Sequence, residues 1–209
     1  MLIIGLTGSI GMGKTTAARR IASHGIPVFD ADAEVHRLYE AEAAALIEAA
    51  FPGTVAGGRV DRGLLAKAVL DDAEKLAKLE AIVHPLVRES EREFLSRQRE
   101  KGAEMAVLEI PLLFETGADR LVDVTIVMTA PGEVQRQRVL QRPGMSEQKL
   151  AAILAQQVPD AEKRARADFV VETVGPVQAT GEIIDRIIES LKGRKGSAID
   201  RWLKGEDAG

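Results

Sequence analysis

A glycine-rich segment near the N-terminus constrains the fold more than any other part of the chain. Residues 8–15, Gly-Ser-Ile-Gly-Met-Gly-Lys-Thr, match the phosphate-binding pattern G-x-x-x-x-G-K-[ST] at every specified position. They follow a short apolar run at 2–6 and precede a helix predicted over about 14–23. In this context the glycines let successive backbone N–H groups point at phosphate oxygens, and the helix N-terminus adds its positive dipole. The sequence therefore predicts a strand, a phosphate-binding loop and a helix in that order.

The motif also predicts what its residues do. Lys14 is expected to reach the β- and γ-phosphates of ATP, and the Thr15 hydroxyl is expected to help hold Mg²⁺. A glycine-rich turn that matches by chance is the alternative, and the flanking strand and helix argue against it. The residues predicted to bind the nucleotide are Gly8, Gly11, Met12, Gly13, Lys14, Thr15 and Thr16.

The remaining apolar pattern predicts an α/β fold of the P-loop NTPase type. Apolar runs that predict strands recur after the first helix, at 27–29, 105–109, 122–128 and 169–171. Their alternation with helical patterns indicates a parallel sheet with helices on both faces. From 33 to 103 the apolar residues keep helical spacing, which predicts a helical insertion. The charged, glycine-containing end from Gly193 is expected to be a loose tail.

The composition limits the classes of function and the location. The formal net charge of −4 argues against a general nucleic-acid binder. The chain has no cysteine, which excludes disulfides and thiolate metal sites. The sequence shows neither a targeting segment nor an apolar run long enough to span a membrane. We therefore expect a cytoplasmic protein without a membrane partner, as a monomer or a small homo-oligomer.

Two aspartates follow the second predicted strand. If the chain stays extended there, Asp30 and Asp32 face the same way, toward the phosphate loop at the carboxyl ends of the strands. We assign Asp32 to the orientation or deprotonation of an acceptor hydroxyl, and Asp30 to the metal shell. The alternative is that one or both cap the helix predicted from near Ala33.

Further segments, in this order and spacing, resemble dephospho-coenzyme A kinases from residue 2 to about 175. The most distinctive is Pro-Leu-Leu-Phe-Glu at 111–115. The other matching positions, beside the phosphate loop, are Phe29-Asp30-Ala31-Asp32, Asp61-Arg62, His84-Pro85, Gln135, Arg138, Arg142, Gln157, Pro159, Lys163 and Ala167-Asp168.

This resemblance implies ATP-dependent phosphorylation of the ribose 3′-hydroxyl of dephospho-coenzyme A, the last step of coenzyme A synthesis. It implies a nucleotide-binding core made of residues 1–32 and 104–209, and a substrate-binding insertion over 33–103. It also implies a mobile lid at about 132–166.

The resemblance also assigns residues to the acceptor. Asp32 lies at the position of the catalytic base and acceptor contact, and the other substrate-binding positions are Arg62, His84, Leu112 and Glu115. Each has a structural alternative. Arg62 can be an exposed residue at a helix start, and His84 a hydrogen-bonded structural residue. Leu112 can belong to the wall or core, and Glu115 can cap the turn before Gly117.

Arginines in the predicted lid are candidates for catalysis. Arg136, Arg138 and Arg142 fall in one predicted helix before the Pro143-Gly144 break, and Arg138 and Arg142 share a face because they are four residues apart. Two guanidinium groups on one side can clamp phosphates or neutralise the charge that develops during transfer. We therefore count Arg138 and Arg142 with Lys14 and Asp32 as catalytic candidates. A solvated basic face is the alternative.

Two other functions compete with this interpretation, one of the same class and one of a different class. A shikimate or nucleoside monophosphate kinase also suits the aspartate pair, but leaves the helical insertion and the 111–115 segment unexplained. A GTP-dependent switch needs an Asn-Lys-x-Asp motif, which the sequence lacks.

Overall fold

The computed structural model describes residues 1–69 and 72–205, which form two compact units. The core unit comprises Met1–Phe29 with the described part of Leu95–Gly209, and the helical unit comprises Asp30–Phe94. The helical unit thus begins at Asp30 and ends before Leu95, whereas the sequence places the insertion at 33–103. One helix, Ala73–Glu100, runs across the boundary at Leu95. Within the described ranges no helix is both long and apolar enough to cross a membrane.

Strands and helices occur in both units and are numbered in chain order. The strands are β1 (Leu2–Thr7), β2 (Val28–Asp30), β3 (Val55–Ala56), β4 (Arg59–Val60), β5 (Met105–Glu109), β6 (Val124–Thr129) and β7 (Phe169–Glu172). The helices are α1 (Lys14–Ala22), α2 (Ala31–Tyr39), α3 (Glu42–Ala50), α4 (Arg62–Val69), α5 (Ala73–Glu100), α6 (Gly132–Leu140), α7 (Glu147–Ala155), α8 (Asp160–Arg166), α9 (Val177–Leu191) and α10 (Ala198–Leu203), with a 3-10 turn at Ala118–Leu121.

The central sheet has the order β2-β5-β1-β6-β7, and β1 runs parallel to both of its neighbours. Its middle strands are buried along their whole length because both faces are covered. On one face Leu2, Ile4 and Leu6 pack in a core that includes side chains of α1 and α9. On the other face Leu113 packs closely against Gly5, since its side chain lies 2.9 Å from the place that a Cβ at Gly5 would occupy. The predicted α/β fold with a parallel sheet is confirmed.

The helical unit has a small core of its own. Leu38, Ile47, Leu65 and Leu79 come from four different helices, α2 to α5, and are buried in one cluster. The short β3–β4 hairpin joins α3 to α4. The core of this unit is therefore built from helices, in keeping with the helical spacing of its apolar residues.

The C-terminal segment is ordered as far as it is described, so the expectation of a loose tail is wrong there. Helix α10 buries Ala198, Ile199 and Trp202. The Trp202 indole Nε1 donates to the carbonyl of Leu121 at 2.7 Å. Asp123 Oδ1 accepts from the N–H groups of Ser197 and Ala198, at 2.7 and 2.9 Å. The charged composition hid these contacts because they join residues far apart in sequence.

We expect Ile199→Ala to destabilise the core unit, because Ile199 is 4% exposed on α10. Deletion of a buried isoleucine side chain to alanine costs about 2–5 kcal/mol. The matched control is Leu203→Ala on the same helix, where the side chain is 43% exposed and the expected change is within about 0.5 kcal/mol. Urea unfolding followed by circular dichroism measures both. Equal effects would show that α10 is not packed as described.

Candidate active site

The phosphate loop between β1 and α1 depends on glycine at three positions. Gly8, Gly11 and Gly13 have φ angles of 146°, 79° and 85°, in the range that side chains oppose. A Cβ at Gly8 would also lie 2.4 Å from the carbonyl oxygen of Met128. Gly13 is the N-cap of α1, so the backbone itself forms the positive end of the helix.

Lys14 lies over this loop. Its Nζ donates to the carbonyl of Gly8 at 2.6 Å and to that of Ser9 at 3.2 Å. The next residues, Thr15 and Thr16, are exposed in the first turn of α1. A loop of backbone amides with one ammonium group and two hydroxyls fits the phosphates of a nucleotide and the oxygen-preferring Mg²⁺.

Two glutamines hold one residue of the loop from both sides. Gln135 Nε2 donates to the carbonyl of Ile10 at 2.8 Å, and Gln157 Oε1 accepts from the Ile10 N–H at 3.3 Å. The sequence offers no role for these glutamines beyond their motif positions. The structure shows that they fix the direction of the loop backbone.

Arg138 also supports the loop. It extends from α6, and its Nη1 donates to Gly11 O at 3.4 Å and to Thr173 Oγ1 at 2.7 Å. Its Nη2 donates to Thr173 O at 2.5 Å. Thr173 is buried and lies beside Gly13, where a Cβ would approach its Cγ2 to 3.4 Å. The guanidinium thus connects the loop to the segment after β7.

The expectation that Arg138 and Arg142 share one helical face is wrong. Helix α6 ends at Leu140, and Arg142 is exposed in the following turn. Pro143 explains this, because a proline disfavours helical geometry for the residue before it. Arg136 forms an ion pair with Glu147 at the start of α7. The catalytic roles of Arg138 and Arg142 stay predictions.

Glu115 forms a buried ion pair inside the core unit. Its Oε1 accepts from the Val158 N–H at 2.8 Å and lies 2.7 Å from Lys163 Nζ, whose side chain is fully buried. Its Oε2 is buried without a hydrogen-bond partner among the described residues. Leu112, three residues earlier, is half-buried, and its carbonyl accepts from Thr116 Oγ1 at 2.8 Å. The sequence identifies Lys163 as a motif position but does not predict its ion pair with Glu115, which lies in a distant motif.

In the helical unit the two aspartates occupy different positions. Helix α2 begins at Ala31, and the Asp30 side chain is its N-cap, accepting from the Ala33 N–H at 2.9 Å. Asp32 is already within the first turn. The expectation of an extended chain with both carboxylates facing one way is therefore wrong, and for Asp30 the capping alternative is correct.

Asp32 lines a cavity of about 530 Å³ within the helical unit, together with Arg62. The same cavity is lined by His36 and Tyr39 of α2 and by Leu65 of α4. Burial raises the pKa of the Tyr39 phenol, and the charge of Arg62 lowers it in part. His84 is exposed on α5 and lies outside the lining that the described residues form. The structure thus brings together Asp32 and Arg62, but not His84.

Comparisons with known proteins show the family to which the chain belongs. The family model for dephospho-CoA kinase matches residues 2–178. The chain belongs to the dephospho-CoA kinase family. A dephospho-CoA kinase of Mesorhizobium japonicum is 58% identical over 94% of this chain and its own full length. One from Brucella melitensis is 54% identical over 95% of this chain and 99% of its own.

Solved structures show the same fold. A protein from Thermus thermophilus, 41% identical, has a TM-score of 0.81 over 92% of this chain and 98% of its own. A dephospho-CoA kinase from Campylobacter jejuni, 24% identical, has a TM-score of 0.64 over 90% of this chain and 96% of its own. The shikimate kinase of Acinetobacter baumannii, 20% identical with a TM-score of 0.54 over 93% of this chain and 96% of its own, shares the fold alone. The dephospho-CoA kinase family implies a kinase that uses ATP, and the shikimate kinase alternative is not supported.

In this dephospho-CoA kinase family member we expect Glu115 and Lys163 to be strongly coupled. Glu115→Gln or Lys163→Met alone leaves one buried charge without its partner, which costs about 3–5 kcal/mol of unfolding free energy. The double variant should lose clearly less than the sum of the two, as measured by urea unfolding. The exposed pair Lys192–Glu189, at 2.6 Å, supplies the control, since Lys192→Met should cost less than about 1 kcal/mol. Additive losses at Glu115 and Lys163 would contradict the coupling.

Proposed function

We propose that this chain transfers the γ-phosphoryl group of ATP to the ribose 3′-hydroxyl of dephospho-coenzyme A and so makes coenzyme A. The match to the dephospho-CoA kinase family over residues 2–178 carries the proposal. The complete phosphate loop and the cavity that contains Asp32 support it, because this reaction needs a nucleotide site and a carboxylate for an acceptor hydroxyl.

On the nucleotide side, the backbone of the phosphate loop and Lys14 bind the phosphates, and the glutamines on Ile10 keep the loop in place. Arg138 acts through the loop, since it already binds Gly11 and Thr173. Bound Mg²⁺ would supply positive charge that offsets the negative charge of the phosphates. Thr15 would hold this metal ion, and Asp30 would contribute through water while its Oδ1 caps α2.

On the acceptor side, Asp32 orients the hydroxyl and accepts its proton as the oxygen attacks the γ-phosphorus in line. Arg62, in the same cavity, binds an anionic part of the acceptor. Arg142, exposed after α6, is the candidate for neutralising charge on the transferred group. Contacts of His84, Leu112 and Glu115 with the acceptor, and a mobile lid at about 132–166, are further parts of this proposal.

The experiment that tests the proposal is a coupled assay of ADP release with dephospho-coenzyme A, shikimate and nucleoside monophosphates as separate acceptors. We expect turnover with dephospho-coenzyme A alone, and mass spectrometry of the product should show coenzyme A. Turnover with shikimate or a nucleoside monophosphate instead would overturn the acceptor and leave the kinase activity standing.

We expect Asp32→Asn to lower kcat by about 10²–10⁴-fold, because an amide keeps the shape of the carboxylate but cannot accept the proton. The KM for ATP should stay within about two-fold, since only the acceptor step has lost a group. Steady-state kinetics with each substrate varied in turn measures both values. An unchanged kcat would remove Asp32 from the chemistry.

We expect Asp30→Asn to separate capping from metal binding, because asparagine caps a helix about as well as aspartate but carries no charge. If Asp30 acts in the metal shell, the variant should keep its thermal midpoint while its kcat falls and its Mg²⁺ requirement rises. Kinetics across a range of Mg²⁺ concentrations measures the effect. Wild-type kinetics would restrict Asp30 to the cap.

A further inference from the structure

Three polar side chains follow one another along the face of α2 that lines the cavity. Asp32, His36 and Tyr39 are spaced by four and then three residues, and all three contribute to the lining. Residues at this spacing lie on one side of a helix, about one turn of 5.4 Å apart. His36 therefore lies about one turn further along α2 than the carboxylate proposed to receive the acceptor hydroxyl.

Arg62 supplies a positive charge to the same cavity from α4. Asp61 Oδ1 accepts from the N–H groups of Gly63 and Leu64 at 2.9 and 3.0 Å, which fixes the start of the helix that carries Arg62. Arg62 and Tyr39 line the same cavity, and the charge of Arg62 lowers the pKa of the Tyr39 phenol that burial raises. The Arg62 guanidinium and the His36 imidazole thus line the same cavity as Asp32.

The neighbouring cation on α2 is engaged elsewhere. Arg37 donates to Glu34 at 2.8 Å and to Glu42 at 3.1 Å, and it does not belong to the lining that the described residues form. His36 and Arg37 are adjacent in sequence, but only His36 lines the cavity. This difference makes Arg37 a matched control for His36.

We propose that His36, with Arg62, binds the pyrophosphate of the acceptor and so selects acceptors that carry it. This inference rests on the proposed function. In dephospho-coenzyme A, five bonds separate the 3′-oxygen from the 5′-phosphorus, a span of about 6 Å when extended, which corresponds to the one-turn step from Asp32 to His36. An imidazole N–H donates well to a phosphate oxygen, and a guanidinium binds phosphate with two parallel hydrogen bonds.

The apolar part of the lining fits the rest of such an acceptor. Val35, Leu65, Val69 and Leu79 line the cavity beside the polar face. The pantetheine arm begins directly after the pyrophosphate, and its methylene and dimethyl groups are suited to apolar walls. Adenosine alone has neither the pyrophosphate nor the arm, so it should gain nothing from His36.

The test compares His36→Leu, which removes the donor at similar volume, with His36→Gln, which keeps an N–H donor. We expect His36→Leu to raise the KM for dephospho-coenzyme A about ten-fold or more, since a hydrogen bond to a charged group is lost. Its KM for ATP should stay at the wild-type value. His36→Gln should recover part of the loss, and Arg37→Leu should change the KM for dephospho-coenzyme A less than about two-fold.

Adenosine, tested as a competitor of dephospho-coenzyme A at saturating ATP, shows whether His36 contacts the pyrophosphate or the nucleoside. We expect its inhibition constant to be equal in the wild type and His36→Leu. The inference is overturned if His36→Leu leaves the KM for dephospho-coenzyme A unchanged, if His36→Gln recovers nothing, or if adenosine weakens by the same factor. Failure of the proposed function is recognised separately, because the wild type itself would then not phosphorylate dephospho-coenzyme A.

Discussion

The two hydrogen bonds on Ile10 are the constraint on which the nucleotide site depends. A loop of glycines that is free to curl around phosphate is also free to adopt many other conformations, and each ordered residue costs about 1–2 kcal/mol of backbone entropy. Gln135 and Gln157 bind the carbonyl and the N–H of this one residue, and Arg138 binds the next carbonyl. The phosphate loop is therefore held by side chains from α6 and from the segment before α8. Both lie in the region expected to act as a lid, so this region also determines the conformation of the phosphate loop.

The parts of the fold that could be predicted are those with local causes. The glycine spacing of the phosphate loop is local, since Gly8, Gly11 and Gly13 each occupy a conformation that other residues avoid. Strands that are buried on both faces can also be predicted, because their sequences are continuous apolar runs. Helix α10 could not be predicted in this way, because its contacts join Trp202 to Leu121 and Ser197 to Asp123, which are far apart in sequence. The charges around Trp202 also resemble those of an unstructured tail.

The candidate site shows the same limit at finer scale. The relative direction of the Asp30 and Asp32 side chains depends on where α2 begins, which is at Ala31 instead of near Ala33. Sequence patterns place the ends of helices only to within a few residues. The predicted shared face of Arg138 and Arg142 was wrong for the same reason, because the helix that carries Arg138 ends at Leu140. The ion pair between Glu115 and Lys163 was not predicted for a different reason. Both residues stand at motif positions, but a pair between distant motifs is seen only in the folded chain.

The aromatic residues of the two units have a practical consequence. The chain contains one tryptophan and one tyrosine. Trp202 is buried in the core unit against Leu121, whereas Tyr39 lines the cavity of the helical unit. Excitation at a wavelength that only tryptophan absorbs therefore produces fluorescence from the core unit alone. Tyrosine emission, in turn, comes only from the helical unit. Each unit thus carries its own intrinsic fluorophore, and an acceptor that fills the cavity has a native optical reporter beside it.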